Sequence, residues 1–193
     1  MRITGGFLGS RIIEVPKSGV RPTQDRVRQA LFSSLVSRVS GCLFLDLCAG
    51  SGGVGLEAWS RGASGVWWVE SHPKTFRVLK NNVETLCGAE AVCGGALRLV
   101  REEAIRFIHQ DTTECSFDII FADPPYEIEG HGGVSWVEAA LAGAAQKRLL
   151  KDDGVFVMEQ SARNPVLPVS GWRVLASKEY GETALVIYGQ DSV

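Results

Sequence analysis

Residues 43–55 read LFLDLCAGSGGVG, and this stretch decides the fold. Its first five residues form an apolar run carrying one acid, which fits a buried parallel strand. Gly50, Ser51, Gly52 and Gly53 cannot extend a strand, and glycine lets the backbone come close to a ligand. Residues 54–61 then carry a helical pattern that Gly62 stops. Strand, glycine turn and helix in that order build a cofactor cradle at the carboxyl end of a parallel sheet.

The identity of that cofactor turns on Asp46. Gly50, Gly52 and Gly55 satisfy the dinucleotide pattern GxGxxG, which keeps a nicotinamide enzyme open. Asp46, however, stands four residues before Gly50 and gives D-x-x-x-G-x-G. A carboxylate there faces the first turn of the following helix and repels a pyrophosphate. A cationic cofactor without phosphate, such as S-adenosyl-L-methionine, meets no such repulsion.

Composition narrows the class. A chain of 193 residues with 45% apolar and 22% charged residues is expected to form one soluble domain with a full core. No run approaches the roughly 18 apolar residues that a membrane span needs, and residues 1–11 lack the apolar region of a signal peptide. A cytoplasmic protein with no membrane partner is therefore expected. The five cysteines include no C-x-x-C pair and the three histidines lack ligand spacing, so reduced thiols and no metal are expected.

Charge is unevenly distributed. Residues 1–40 hold seven basic and two acidic residues, a net of +5, while the remainder nets −7. A basic extension (1–40) on an acidic core (41–193) suits a polyanionic partner. Residues 1–15 read as a short hairpin with weak strands interrupted by Gly5, Gly6 and Gly9. Thr23 is an N-cap candidate, and Val27, Leu31, Leu35 and Val39 form one apolar helical stripe behind it. Arg26 and Arg28 flank that stripe and are expected to reach solvent; with Arg21 they suit phosphate oxygens.

Further along, Gly65–Val69 reads as a second buried strand, and Glu70 at its tip can accept hydrogen bonds from ribose hydroxyls. A helix follows over 73–86 and a third strand over 96–100. Glu103 beyond it suits either an adenine amine or the helix N-terminus that follows. Phe117–Ala122 is a fourth strand, 134–150 a helix, 154–159 a fifth strand, and 172–177 with 183–188 a closing antiparallel hairpin. Together these predict a Rossmann-like α/β fold with seven strands, helices on both faces, and a small N-terminal hairpin and helix.

The second informative stretch is Asp123-Pro124-Pro125-Tyr126. Two prolines fix φ and remove two N–H donors, making the strand end a rigid hook. A carboxylate and outward carbonyls beside an aromatic ring suit an amino group on a planar base. Two acceptors hold its hydrogens, so the nitrogen lone pair faces a methyl donor. A base drawn from its stack regains stacking on Tyr126, worth roughly 1–3 kcal/mol.

These two stretches resemble class I S-adenosyl-L-methionine-dependent methyltransferases, and the whole chain resembles the RsmD family of 16S rRNA guanine-N2 methyltransferases. The family-specific part is N-terminal: MRITGG, Gly9-Ser10-Arg11, Arg21-Pro22-Thr23, Asp25-Arg26-Val27-Arg28 and Ala30-Leu31-Phe32. The resemblance continues through Asp46-Leu47, Ala49-Gly50-Ser51-Gly52, Gly55-Leu56-Glu57-Ala58, Ser60-Arg61-Gly62-Ala63, Asp123-Pro124-Pro125-Tyr126, Lys178, Tyr180-Gly181 and Thr183. It implies cofactor contacts at Asp46, Ala49, Gly50, Ser51, Gly52, Glu70, Ser71, Glu103 and Ala104, with S-adenosyl-L-homocysteine as product. It implies catalytic contacts at Asp123, Pro124, Pro125 and Tyr126, and RNA contacts at Arg2, Arg11, Arg21, Thr23, Arg26 and Arg28. The implied partner is 16S rRNA within a small ribosomal subunit or assembly intermediate, met by a monomer. Gln29 and Glu103 depart from the family's usual Glu and Asp. Three other readings stay open: amino methylation of a DNA adenine or protein glutamine, a nicotinamide oxidoreductase, and a non-catalytic RNA-binding module.

Overall fold

A computed structural model describes residues 1–16, 25–88, 95–110, 116–124, 135–166 and 168–191. Its elements are α1 (Asp25–Ser34), α2 (Val36–Val39), β1 (Leu43–Leu47), α3 (Gly53–Ser60), β2 (Gly65–Val69), α4 (Pro73–Cys87) and β3 (Leu97–Val100). They continue with α5 (Ala104–His109), β4 (Phe117–Ala122), α6 (Trp136–Gln146), β5 (Leu150–Ser161), β6 (Trp172–Tyr180) and β7 (Thr183–Gln190). One seven-stranded sheet runs β3-β2-β1-β4-β5-β7-β6. Strands β1 to β5 pair in parallel, and β7 lies antiparallel between β5 and β6. The α/β sheet expected from the strand and helix alternation is therefore present.

Period-two alternation along the strands divides the core in two. Phe44, Trp68 and Phe121 point to the face covered by residues 1–13, α1, α2, α3 and α4. Leu45, Trp67 and Ile120 point to the opposite face, which α5 and α6 cover. Helices thus bury both faces of the parallel strands, which is why those strands read as continuous apolar runs.

Three elements differ from the sequence reading. The N-terminal hairpin has a single antiparallel bridge, Arg2 with Ile12, in place of two weak strands. Its loop bonds instead to Ser60 at the end of α3, which takes the N–H groups a strand partner would have used. The continuous helical stripe from Val27 to Val39 is buried, yet it breaks at Leu35 into α1 and α2. Ser33 and Ser34 donate their hydroxyls to the carbonyls of Gln29 and Ala30, and this back-bonding bends helices. Strand β5 begins four residues earlier than expected, because Leu150 pairs with Phe117 across a register shift. The expected cap at Thr23 lies outside the described residues. Among those described, no helix is long and apolar enough to cross a membrane.

Gly55 shows how tightly α3 sits on the sheet. A Cβ there would lie 2.1 Å from Trp68 Nε1 and 2.9 Å from Val66 Cγ1. Both neighbours are buried strand residues with no room to retreat. Gly55→Ala is expected to destabilise the fold by about 1–3 kcal/mol, measured as a lowered urea midpoint. An unchanged midpoint would contradict this packing.

Candidate active site

The site is built where β1, β2 and β4 end together. Leu47 pairs with Val69 on one side and Ala122 on the other, so the next row holds Cys48, Glu70 and Asp123. Cys48 bends the chain out of β1 with φ +60, a left-handed value uncommon outside glycine. Ala49 still donates its N–H to the Val69 carbonyl at 2.9 Å. Gly50 (φ +56) and Gly52 (φ +86) then complete the turn into α3.

Two carboxylates brace this turn. Glu70 Oε2 accepts from Gly50 N–H at 2.9 Å, while its Oε1 accepts from His72 N–H at 2.7 Å. Asp46 Oδ2 accepts from Gly55 N–H at 2.8 Å, in the first turn of α3. Asp46 is 1% exposed. Burial raises its pKa most, the Gly55 hydrogen bond opposes, and the nearby charges of Asp123 and Glu70 raise it further, to about 8. Cys48 senses the same surroundings. Burial, then Glu70, Asp123, Asp46 and Glu103 in that order, push its thiol well above the ordinary value and keep it protonated. Glu70, Asp123, Asp46 and Glu103 therefore all lie near enough to Cys48, at the carboxyl edge of the sheet, to raise its pKa. That surplus of negative charge favours a cation and disfavours a phosphate.

The other expected site residues distribute as follows. Ser51 and Gly52 are buried in the turn, Ser71 is exposed beside Glu70, and Ala104 is buried at the start of α5. Glu103 caps α5, its two oxygens accepting from Ile105 N–H at 3.1 Å and Arg106 N–H at 2.8 Å. Of the two roles open to it, the structure displays the helix-terminal one. Asp123 and Pro124 are half-buried at the end of β4. Pro125, Tyr126, Arg21 and Thr23 lie outside the described residues.

The basic extension needs one correction. Arg2, Arg11 and Arg26 are exposed, but Arg28 is fully buried and reaches neither solvent nor phosphate. Its guanidinium pairs with Glu57 at 3.3 Å and Asp25 at 2.9 Å and donates to the Arg2 carbonyl. The apolar stripe explains only one side of α1; residues 1–4 cover the side on which Arg28 stands. Glu57 and Asn82 were not singled out as site residues. Asn82 exchanges hydrogen bonds with the Glu14 backbone and donates to the Ser51 carbonyl at 2.9 Å. The available signal was an acid, Glu57, inside the otherwise apolar helix GVGLEAWS.

Comparison with known proteins follows this geometry. The family model described as conserved hypothetical protein 95 matches residues 1–189. Ribosomal RNA small subunit methyltransferase D of Escherichia coli (strain K12) is 32% identical, with 100% of this chain and 91% of that protein aligned. The Haemophilus influenzae protein of the same name is 28% identical over 96% of this chain and 91% of its own length. The solved structure of yhhF from Escherichia coli, described as a candidate methyltransferase, superposes with a TM-score of 0.82 and 31% identity. That match covers 99% of this chain and 98% of the other.

The raised pKa of Asp46 has a thermodynamic sign. Between about pH 4 and pH 8 the folded protein holds a proton that the unfolded chain has released. The stability tied to this group is fully present below pH 4 and is lost as pH rises towards 8. Asp46→Asn keeps an acceptor for Gly55 but cannot ionise. Its stability relative to the unmodified protein is expected to rise between pH 5 and pH 8, measured by urea unfolding at both. A difference that stays constant would show that Asp46 ionises normally.

Proposed function

The chain belongs to the RsmD family of class I methyltransferases, and from that premise we propose that it methylates the exocyclic N2 amine of a guanine in 16S rRNA. S-adenosyl-L-methionine is the methyl donor in this reading, and the substrate is a small ribosomal subunit or its assembly intermediate. Residues 1–40 act as an RNA-binding extension of one methyltransferase domain, and 41–193 as its cofactor-binding core, working as a monomer.

The observation that carries this reading is the grouping of the acids Asp46, Glu70 and Asp123 beside the glycine turn, two of them bonded to backbone N–H groups of that turn and of α3. Its donor set fits a cofactor that brings positive charge and no phosphate. Asp46 and the turn from Ala49 to Gly52 would hold the cationic end. Glu70 and Ser71 would hold the ribose, and Glu103 with Ala104 would lie towards the adenine. Each Glu70 oxygen already takes one backbone N–H, and a carboxylate retains further acceptor sites for hydroxyl donors. When bound, the cofactor supplies a methyl group on a positively charged sulfur.

The chain's own residues do the rest by alignment. The guanine N2 lone pair is delocalised into the ring, which makes the amine a weak nucleophile. The Asp123 carboxylate and the Pro124 carbonyl accept its two hydrogens and hold the lone pair towards the donor. Tyr126 stacks on the extruded base. Methyl transfer leaves the nitrogen with one proton too many, which in this reading passes to Asp123 or to water. Positioning of this kind supplies most of the rate enhancement, because a strong base is not needed for so acidic a proton.

Asp123→Ala is expected to lower methyl transfer to small subunits by roughly 10²-fold or more while keeping the thermal shift given by S-adenosyl-L-homocysteine. An active variant would remove Asp123 from the chemistry. The decisive assay is labelled methyl transfer to subunits lacking the modification, beside protein-free rRNA, followed by nucleoside analysis. N2-methylguanosine supports the proposal; transfer to neither RNA, with cofactor binding intact, moves it to another amine-bearing substrate.

A further inference from the structure

Residues 1–13 fold back on themselves. Ile3 N–H bonds the Arg11 carbonyl, Ser10 N–H the Ile3 carbonyl, and Ile13 N–H the Met1 carbonyl. Ile3 and Ile13 turn inward and are 1% exposed, while Arg2, Arg11 and Ile12 turn outward. Core formation accounts for Ile3, Leu8 and Ile13. It does not account for Phe7, which is 67% exposed, or for Ile12 at 66%. Among the described residues, the exposed large apolar side chains are Phe7, Ile12, Val36, Val174 and Leu175, and two of these stand on this one short loop beside two arginines. Neither side chain is needed to seal the core, and together they leave an apolar surface flanked by two cations.

The ring is also held in place. The Ser60 carbonyl accepts from Phe7 N–H at 2.9 Å. Ser60 Oγ accepts from Leu8 N–H at 2.8 Å and donates to the Gly5 carbonyl at 2.6 Å. Gly6 has φ +75, and a Cβ on it would lie 1.8 Å from the Ser60 carbonyl oxygen, so only glycine lets the loop seat on α3. The Phe7 ring meets Trp59 edge-on, centroids 6.3 Å apart at 74°, which fixes its orientation further. An aromatic surface fixed before binding gives up little freedom when a flat ligand covers it.

Taking the RNA substrate of the preceding section as given, the geometry points to this loop as a stacking platform: Phe7 takes up one unpaired base of that RNA while Arg2 and Arg11 hold neighbouring phosphates. The exposed cations Arg2 and Arg11 beside Phe7 select a polyanion over a neutral apolar partner. A ring projecting from a loop cannot reach base faces inside a duplex, so the occupant is a single-stranded or looped segment. The platform lies at the far end of α3 from the glycine turn, and it therefore contacts a flanking nucleotide rather than the methylated guanine.

The test uses the full chain and a short fluorescein-labelled single-stranded RNA, with anisotropy titrations at several salt concentrations. Phe7→Ala is expected to weaken RNA binding about tenfold with its salt dependence unchanged, and Phe7→Trp to restore it. Arg11→Ala is expected to reduce the salt slope by about one phosphate contact. Urea midpoints and S-adenosyl-L-homocysteine binding should match the unmodified protein in all three. Phe7→Ala binding RNA like the unmodified protein overturns the platform, as does equal weakness of Phe7→Ala and Phe7→Trp. Unchanged RNA affinity with impaired transfer only to assembled subunits also overturns it, in favour of a ribosomal protein contact. Phe7-dependent RNA binding without any methyl transfer supports the platform and removes the methylation reading alone.

Discussion

One buried carboxylate, that of Glu57 on α3, ties the N-terminal segment to the helix that follows the glycine turn. Its side chain is 0% exposed, and both oxygens are engaged. Oε1 accepts from Thr4 Oγ1 at 2.7 Å and from Arg61; Oε2 accepts from Thr4 N–H at 2.7 Å and from Arg28. Burying such charges costs several kcal/mol per ion, and an apolar cluster of equal volume would stabilise the fold as well. What an apolar cluster would not do is fix register. Four directed donors on one acceptor allow only one placement of residues 2–4, α1 and α3 relative to each other.

Asp46 sits on the same side of the sheet and shows the opposite electrostatic arrangement. Glu57 faces two guanidiniums, whereas Asp46 has one backbone N–H and is surrounded by Glu70 and Asp123. A carboxylate left in that setting weakens the folded protein at neutral pH. Asp118, by contrast, is paired with Lys151 at 2.8 Å. The acids that raise the pKa of Asp46 gather at the glycine turn, where a cationic ligand would offset their charge, and perturbed groups of this kind are candidates for a binding site.

Much of this was legible from residue order because the relevant forces are local. Leu43–Leu47, Gly65–Val69 and Phe117–Ala122 match their expected bounds, since strands covered on both faces must be apolar throughout. The glycine turn announced itself by the positive φ values it needs. What escaped depends on contacts distant in sequence. The polar start of β5, Lys151 to Asp153, gains strand geometry only from pairing beside Phe117. Arg28 was assigned to solvent because its own helix places it off the apolar stripe, and its burial is explained by partners outside that stripe, among them Glu57, 29 residues away, and the Arg2 carbonyl. Glu103 was ambiguous for a different reason: a carboxylate at that position satisfies two local demands, and sequence does not rank them.

The N-terminal segment is thus anchored along the whole length of α3. Met1 lies over its first turn, where a Cβ on Gly53 would meet the methionine methyl at 2.4 Å. Glu57 holds Thr4 at its middle, and Ser60 holds Phe7 and Leu8 at its end. Asn82 adds a fourth point, bonding the Glu14 backbone and the Ser51 carbonyl with one buried amide. The last three anchors are polar and directional, and all four join the basic segment to the glycine turn or to the helix that follows it. A reaction governed by alignment between two bound partners loses rate steeply with small displacements. Packing alone would hold the basic segment on the core while allowing it to slide by fractions of an ångström. The directed bonds remove that freedom, so the surface proposed for RNA and the turn proposed for the methyl donor move as one body.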